Sequence, residues 1–174
     1  MAAEARAQAA PRIIPVNPDG IPRVLKELPQ WVAWTIEFRN DKPTKPPLRA
    51  DGRGYAKSDD PATWATFDAA YAAYRIRDLG GVGFVLTPDD PFFMLDLDKC
   101  RSPETGELDE WALPIVGRFR HAHVEVSPTG TGVKIVARGR LPGPRHVRPM
   151  PGQPGAKVEL FDAAKYTTLT GVRP

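Results

Sequence analysis

The sequence predicts an α+β fold with flanking helices packed against a mostly antiparallel sheet. Three observations carry this. The order of patterns is strand, helix, hairpin, helix and then several strands. A link of four residues, Pro88-Asp89-Asp90-Pro91, joins two apolar runs and implies an antiparallel hairpin. The later strands alternate apolar and polar residues with period two. At 174 residues with 41% hydrophobic content, the chain is long enough for one domain with a core.

Residues 1–20 are alanine-rich, lack hydrophobic periodicity and end in Asn17-Pro18-Asp19-Gly20, so a mobile leader is expected before a domain over residues 21–174. Trp31-Val32-Ala33-Trp34-Thr35-Ile36 reads as the first strand. Proline, glycine and charge dominate residues 40–58, which predicts a long basic loop. Asp60 as N-cap and Pro61 at the first helical position open a helix. Its stripe of Trp64, Phe67, Tyr71 and Tyr74 is read as core and not as a base-stacking platform, and Gly80-Gly81 stops it. Residues 82–87 form the next strand, followed by the turn and the run Phe92-Phe93-Met94-Leu95-Asp96-Leu97-Asp98. A second helix is expected over residues 109–120, then strands at 124–127, 133–137, 157–161 and 166–169. Residues 141–156, rich in proline, glycine and arginine, resist regular assignment.

Composition narrows the function classes. No run approaches the roughly 18 apolar residues that span a bilayer, and no compact signal core opens the chain, so an intracellular, cytoplasmic protein is expected. The single Cys100 has no cysteine partner for a disulfide or a structural zinc site and reads as a half-buried bystander. Net charge is +3, which permits nucleic-acid binding without demanding it. Two basic clusters, Lys42 to Lys57 and Arg138 to Arg148, have the composition either to track phosphates or to form solvated loops.

The chemistry concentrates in the second half. In a strand, Phe93, Leu95 and Leu97 point one way while Asp96 and Asp98 point the other, roughly 7 Å or less apart. Two carboxylates so placed are a candidate platform for a divalent cation; the plain alternative is a solvated strand end neutralised by Lys99 and Arg101. Ser127-Pro128-Thr129-Gly130-Thr131-Gly132 joins two strands and lets backbone amides and hydroxyls approach an anion, although a hairpin turn needs no ligand. Beyond it Lys134, Val136 and Arg138 share a face, a cationic pair suited to a triphosphate. Glu159, on the polar face of its strand, supplies a third carboxylate. Asp96, Asp98 and Glu159 with a glycine turn and a cationic strand form the set that two-metal nucleotidyl transfer uses, with Mg2+ or Mn2+ as cofactor.

These segments, from Trp31-Val32-Ala33-Trp34 and Lys45-Pro46-Pro47 through Gly81-Val82-Gly83-Phe84, Leu95-Asp96-Leu97-Asp98 and the glycine turn to Val158-Glu159-Leu160-Phe161 and Leu169-Thr170-Gly171, resemble the primase–polymerase domain of the archaeo-eukaryotic primase superfamily. The form resembled is the bifunctional N-terminal domain of phages, plasmids and integrated elements. The resemblance implies an RRM-like fold, a DNA template and nucleoside triphosphates as partners, and a helicase module in cis or in trans. It also implies that the domain is the N-terminal part of a longer replication protein. Asp96 and Asp98 match the family's metal pair and Glu159 its third acidic position, with Asp162 as fallback. Ser127, Thr129, Gly130, Lys134 and Arg138 are the expected nucleotide-binding residues, with Lys45 and residues 141–156 weaker candidates for template or phosphate contact. Where the family usually carries a histidine this chain has Lys134, which binds phosphate as a point charge but cannot titrate near neutrality. A catalytically degenerate nucleic-acid-binding domain and a metal-dependent nuclease are the alternatives.

Overall fold

The computed structural model describes residues 11–143 and 145–174, and most of them fold into two antiparallel sheets that share a core. A 3-10 turn at Pro18–Gly20 and a one-turn helix α1 (Arg23–Lys26) lead into β1 (Trp31–Trp34). Then come β2 (Glu37–Arg39), β3 (Lys42–Thr44), β4 (Pro47–Leu48), helix α2 (Phe67–Ile76), β5 (Gly81–Leu86) and the acidic strand β6 (Phe92–Asp98). After helix α3 (Leu113–Arg118) the strands are β7 (His123–Val126), β8 (Val133–Arg138), β9 (His146–Pro149), β10 (Lys157–Phe161) and β11 (Lys165–Leu169).

One sheet has the order β11-β5-β1-β4, the other β7-β8-β6-β10-β9, and β2-β3 is a separate hairpin. Every strand pair is antiparallel. In the larger sheet β8 lies between β6 and β7, which α3 connects, so the unit β6-α3-β7-β8 is a split β-α-β motif.

Between the sheets lies one apolar cluster built from Trp31, Phe67, Phe84, Phe92, Met94 and Phe161 with their neighbours. Trp31 anchors it: its ring meets Phe67 and Phe84 edge-on at 4.9 and 5.3 Å, and its Nε1 donates to the Leu25 carbonyl at 2.9 Å. A second cluster, with Leu95, Leu97, Val133 and Ile135, fills the other face of the larger sheet beneath α3. Thus β6 is apolar on both faces until Asp96 and Asp98.

Several expected boundaries move. The hairpin expected from the Pro88–Pro91 link does not form. β5 is already paired on both edges by β1 and β11, and β6 by β8 and β10. The link instead carries the chain from one sheet to the other, and buried Asp90 fixes it by accepting from the Thr87 amide and from Gln30 Nε2, each at 2.8 Å. Asp60 caps only one 3-10 turn, Pro61–Thr63. Ala65 then bridges Trp31 in extended conformation, so α2 starts from a second cap, Thr66, and Trp64 lies outside the helix. Phe67, Tyr71 and Tyr74 do pack against the core. The segment expected as a long basic loop holds β3 and β4, the unassigned segment 141–156 holds β9, and the second helix is the shorter α3.

Of the expected leader, residues 1–10 lie outside the described residues. The remainder is docked: Val16 is buried, the Ile14 amide donates to Pro128 O at 2.8 Å, and the Asn17 amide donates to Thr170 O at 2.7 Å. The packed domain therefore begins well before residue 21. Cys100 is fully buried, not half-buried, with its Sγ 3.4 Å from Leu97 O; desolvation pushes the thiol up to about 12.

Candidate active site

A row of charged side chains crosses the larger sheet. Glu125 on β7 pairs with Lys134 on β8, Lys134 with Asp96 on β6, and Asp96 with Glu159 on β10. Directly paired residues project from the same face about 5 Å apart, so period-two alternation in each strand assembles the row. Asp98 lies on this face two residues further along β6, opposite Lys157. Asp96, Asp98 and Glu159 thus come together as the sequence predicts, at the point where the inter-sheet core gives way to charge.

Each of the three carboxylates meets a cation. Lys134 Nζ donates to Asp96 Oδ2 at 2.5 Å, with side chains 8% and 15% exposed. Lys157 Nζ lies 3.3 Å from Asp98 Oδ2 and 3.7 Å from Glu159 Oε2. Glu159, only 3% exposed, accepts from Arg145 Nε at 2.7 Å and from the Lys165 ammonium. Burial pushes the Glu159 carboxyl up, but the Lys165 ammonium and the Arg145 guanidinium outweigh it and hold the group below the usual carboxylate range. Lys45, half-buried between β3 and β4, is pushed down by desolvation and by Lys134, while Asp96 and Asp98 oppose the shift. Its carbonyl accepts from the Tyr166 hydroxyl, which ties it to β11 beside Lys165.

The donor set is one that hard divalent cations favour, all carboxylate oxygen. Asp96 Oδ1 is buried without a hydrogen-bond partner, an orphan that a cation would satisfy. Among the described residues no group of three or more His, Cys, Asp and Glu side chains is placed to hold a metal ion, Asp96, Asp98 and Glu159 included. Magnesium commonly uses one or two carboxylates and completes its shell with water and substrate phosphates, so an open platform fits it.

The glycine turn follows β7 and lies against the segment after β6. Ser127 Oγ accepts from the Gly132 amide at 3.0 Å, and the Thr129 and Thr131 hydroxyls are 2.9 Å apart. Gly130 has φ +78°, and its carbonyl accepts from Arg101 Nη1 at 2.9 Å. Register continues Leu97↔Val133 toward Asp98, so the turn sits at the carboxylate end of the sheet. Arg138 does not join it. It pairs with Phe92, stands over that ring at 5.2 Å, and lies four residues from Lys134, roughly 13 Å along the strand. There it lines a cleft of about 460 Å³ with Phe119, His121 and His123.

Asp162 is also apart from the row; its Oδ2 accepts from the Leu141 amide at 3.1 Å. Glu125, on the row but with no exposed surface, accepts from the amides of Thr170 at 2.7 Å and Gly171 at 3.0 Å and contacts His123 Nε2 at 2.8 Å. It ties β7 to the chain after β11. Arg145 lay in the basic cluster and in the 141–156 segment expected as a weaker candidate for phosphate contact, but Lys157, in the strand expected at 157–161, and Lys165 were not singled out. Lys165 reaches Glu159 only because the chain turns between sheets at residues 162–164.

With this geometry in view, similarity to known proteins becomes informative about the class. No family model matches the chain. Over 150 residues it is 31% identical to a DNA primase-polymerase of Nitratiruptor phage NrS-1. The alignment covers 86% of this chain and 20% of that protein, so the chain spans about a fifth of the length of the curated relative it matches.

Proposed function

We propose that this chain is the catalytic domain of a primase–polymerase, with an RRM-like core, that joins nucleotides to a growing strand on a DNA template and releases pyrophosphate. The observation that carries this is the row Lys134–Asp96–Glu159 with Asp98 beside it, at the end of the sheet that holds the glycine turn. The strand order β7-β8-β6-β10 around α3 supports the RRM-like reading, and similarity to a phage DNA primase-polymerase supports the reaction. Single-stranded template, nucleoside triphosphates and a helicase module in cis or in trans are its partners, inside the cell.

Asp96, Asp98 and Glu159 would hold Mg2+ or Mn2+, which when bound lowers the cost of deprotonating the attacking hydroxyl and neutralises charge on the leaving phosphates. The chain's own residues prepare that site. Lys134 and Lys157 pair with Asp96 and Asp98 and fix their rotamers while no substrate is present. An arriving triphosphate offers these ammonium groups a second anion, so they turn from carboxylate to phosphate and release carboxylate oxygens. Lys45 adds charge from the smaller sheet. The backbone of Thr129 and Gly130 can approach the phosphates closely because the turn carries no large side chain.

One observation favours a second reading. All three carboxylates are ion-paired, and the family histidine is replaced by Lys134, as in a domain kept for binding after catalysis was lost. Extension of a labelled primer on a single-stranded template, with Asp96→Asn alongside, separates these. Metal-dependent extension by the parent and none by the variant is expected. Binding without extension favours the degenerate domain, and strand shortening indicates a nuclease.

A further inference from the structure

Between Glu125 and Glu159 the sequence has no acidic residue, while Lys134, Arg138, Arg140, Arg145, Arg148 and Lys157 all fall there. In the fold part of this stretch becomes β9, an edge strand whose every residue is exposed and which pairs only with β10 among the described residues. Its register, Glu159↔Val147 and Val158↔Arg148, sets two faces. Val147, and by alternation Arg145, lie on the face of the carboxylate row; His146 and Arg148 lie on the other. A polyanion running along the open edge would meet cations on both sides. One of them, Arg145, is 56% exposed and already touches Glu159.

We propose that the β9 edge is a docking strip for the phosphate backbone of a single nucleic-acid strand, and that a phosphate taking Arg145 frees Glu159 Oε1 of one of its two cationic partners. Charge complementarity identifies the occupant, and β10 places it one strand from Glu159 and two from Asp96. Taking that strand to be the template rests on the nucleotidyl-transfer reading. Phosphate contacts of this kind position a strand without reading its sequence. The strip and the carboxylate row are linked through Arg145: the strand raises the affinity of the row for a divalent cation, and the cation raises the affinity for the strand by the same factor.

The test is binding of fluorophore-labelled oligo(dT) to the full chain across a salt series, for the parent, Arg148→Ala, Arg145→Ala and the control Arg75→Ala on the exposed face of α2. Each lost phosphate contact lowers the slope of log affinity against log salt by about 0.7. That drop is expected for Arg148→Ala and Arg145→Ala and not for Arg75→Ala. In a second readout, Mn2+ binding followed by electron paramagnetic resonance, the oligonucleotide tightens Mn2+ by about fivefold or more in the parent. It leaves Arg145→Ala unchanged. Parent-like slopes in both Arg145→Ala and Arg148→Ala, or no oligonucleotide binding by the parent, overturn the docking strip and leave those cations as protection of an open edge. Equal Mn2+ affinity with and without the strand in the parent overturns the exchange at Arg145. Lowered slopes without nucleotide incorporation would sink the polymerase reading alone, and incorporation with parent-like slopes would sink the strip alone.

Discussion

The Lys134–Asp96 pair is nearly out of solvent, so neither charge is well solvated without the other. Lys134→Ala removes the cation paired with nearly buried Asp96 and is expected to cost about 3 kcal/mol of stability in urea unfolding. Glu125 is a buried carboxylate whose partners include backbone amides. Glu125→Ala strands two backbone donors of residues 170–171 and is expected to destabilise by about 2–3 kcal/mol, read by thermal melting. Glu159 has its folded pKa below the free carboxyl value of 4.5, so its contribution is present above pH 4.5 and is lost as pH falls through the folded value. Glu159→Gln should flatten that acid limb of the stability profile; a limb identical to the parent's would contradict the ion pairs seen here. Asp96, Asp98 and Glu159 were legible in sequence because alternation assigns faces without any knowledge of tertiary contacts. Arg138 stands apart from the row because alternation says which face a residue takes and nothing of how far along the strand it sits. Lys165 left no local signal, since its contact with Glu159 depends on β10 and β11 entering different sheets.

At the scale of elements, strands were more legible than their partners. The β6 run, β8 and β10 carry their period in sequence, yet a four-residue link at 88–91 argued for a hairpin that edge pairing forbids. The β2–β3 hairpin was missed because its turn uses Asn40 and Asp41, both at positive φ, where Asn-Gly would have been the visible signal. Asp41→Gly is accordingly expected to stabilise the domain by about 0.5–1 kcal/mol in denaturant unfolding, by relieving an L-residue in the left-handed region. Gly132 has the opposite sensitivity. A Cβ there would lie 2.5 Å from Leu97 O, backbone of the strand that carries Asp96 and Asp98. Gly132→Ala must therefore shift the turn or β6, and both stability and nucleotide binding should fall together.

Across the whole molecule, one sheet supplies the carboxylate row, the other packs against the same face, and α3 covers the back. Trp31, Phe84 and Leu169 of the smaller sheet close the core against Met94, Val136 and Phe161, and the row begins where that packing ends. The α+β class and antiparallel pairing were readable from the order of patterns. The division into two sheets was not, because it is decided by which edges remain unpaired once the chain is compact. The same arrangement leaves Lys45 and Lys165 of the smaller sheet's elements facing carboxylates of the larger one, so the site needs both. Incorporation of labelled nucleotides on primed and unprimed single-stranded templates with Mg2+ or Mn2+, for the parent beside Asp96→Ala/Asp98→Ala, tests this most directly. Metal-dependent incorporation by the parent, lost in the folded double variant, is the expected result; equal incorporation by both would contradict catalysis at this row.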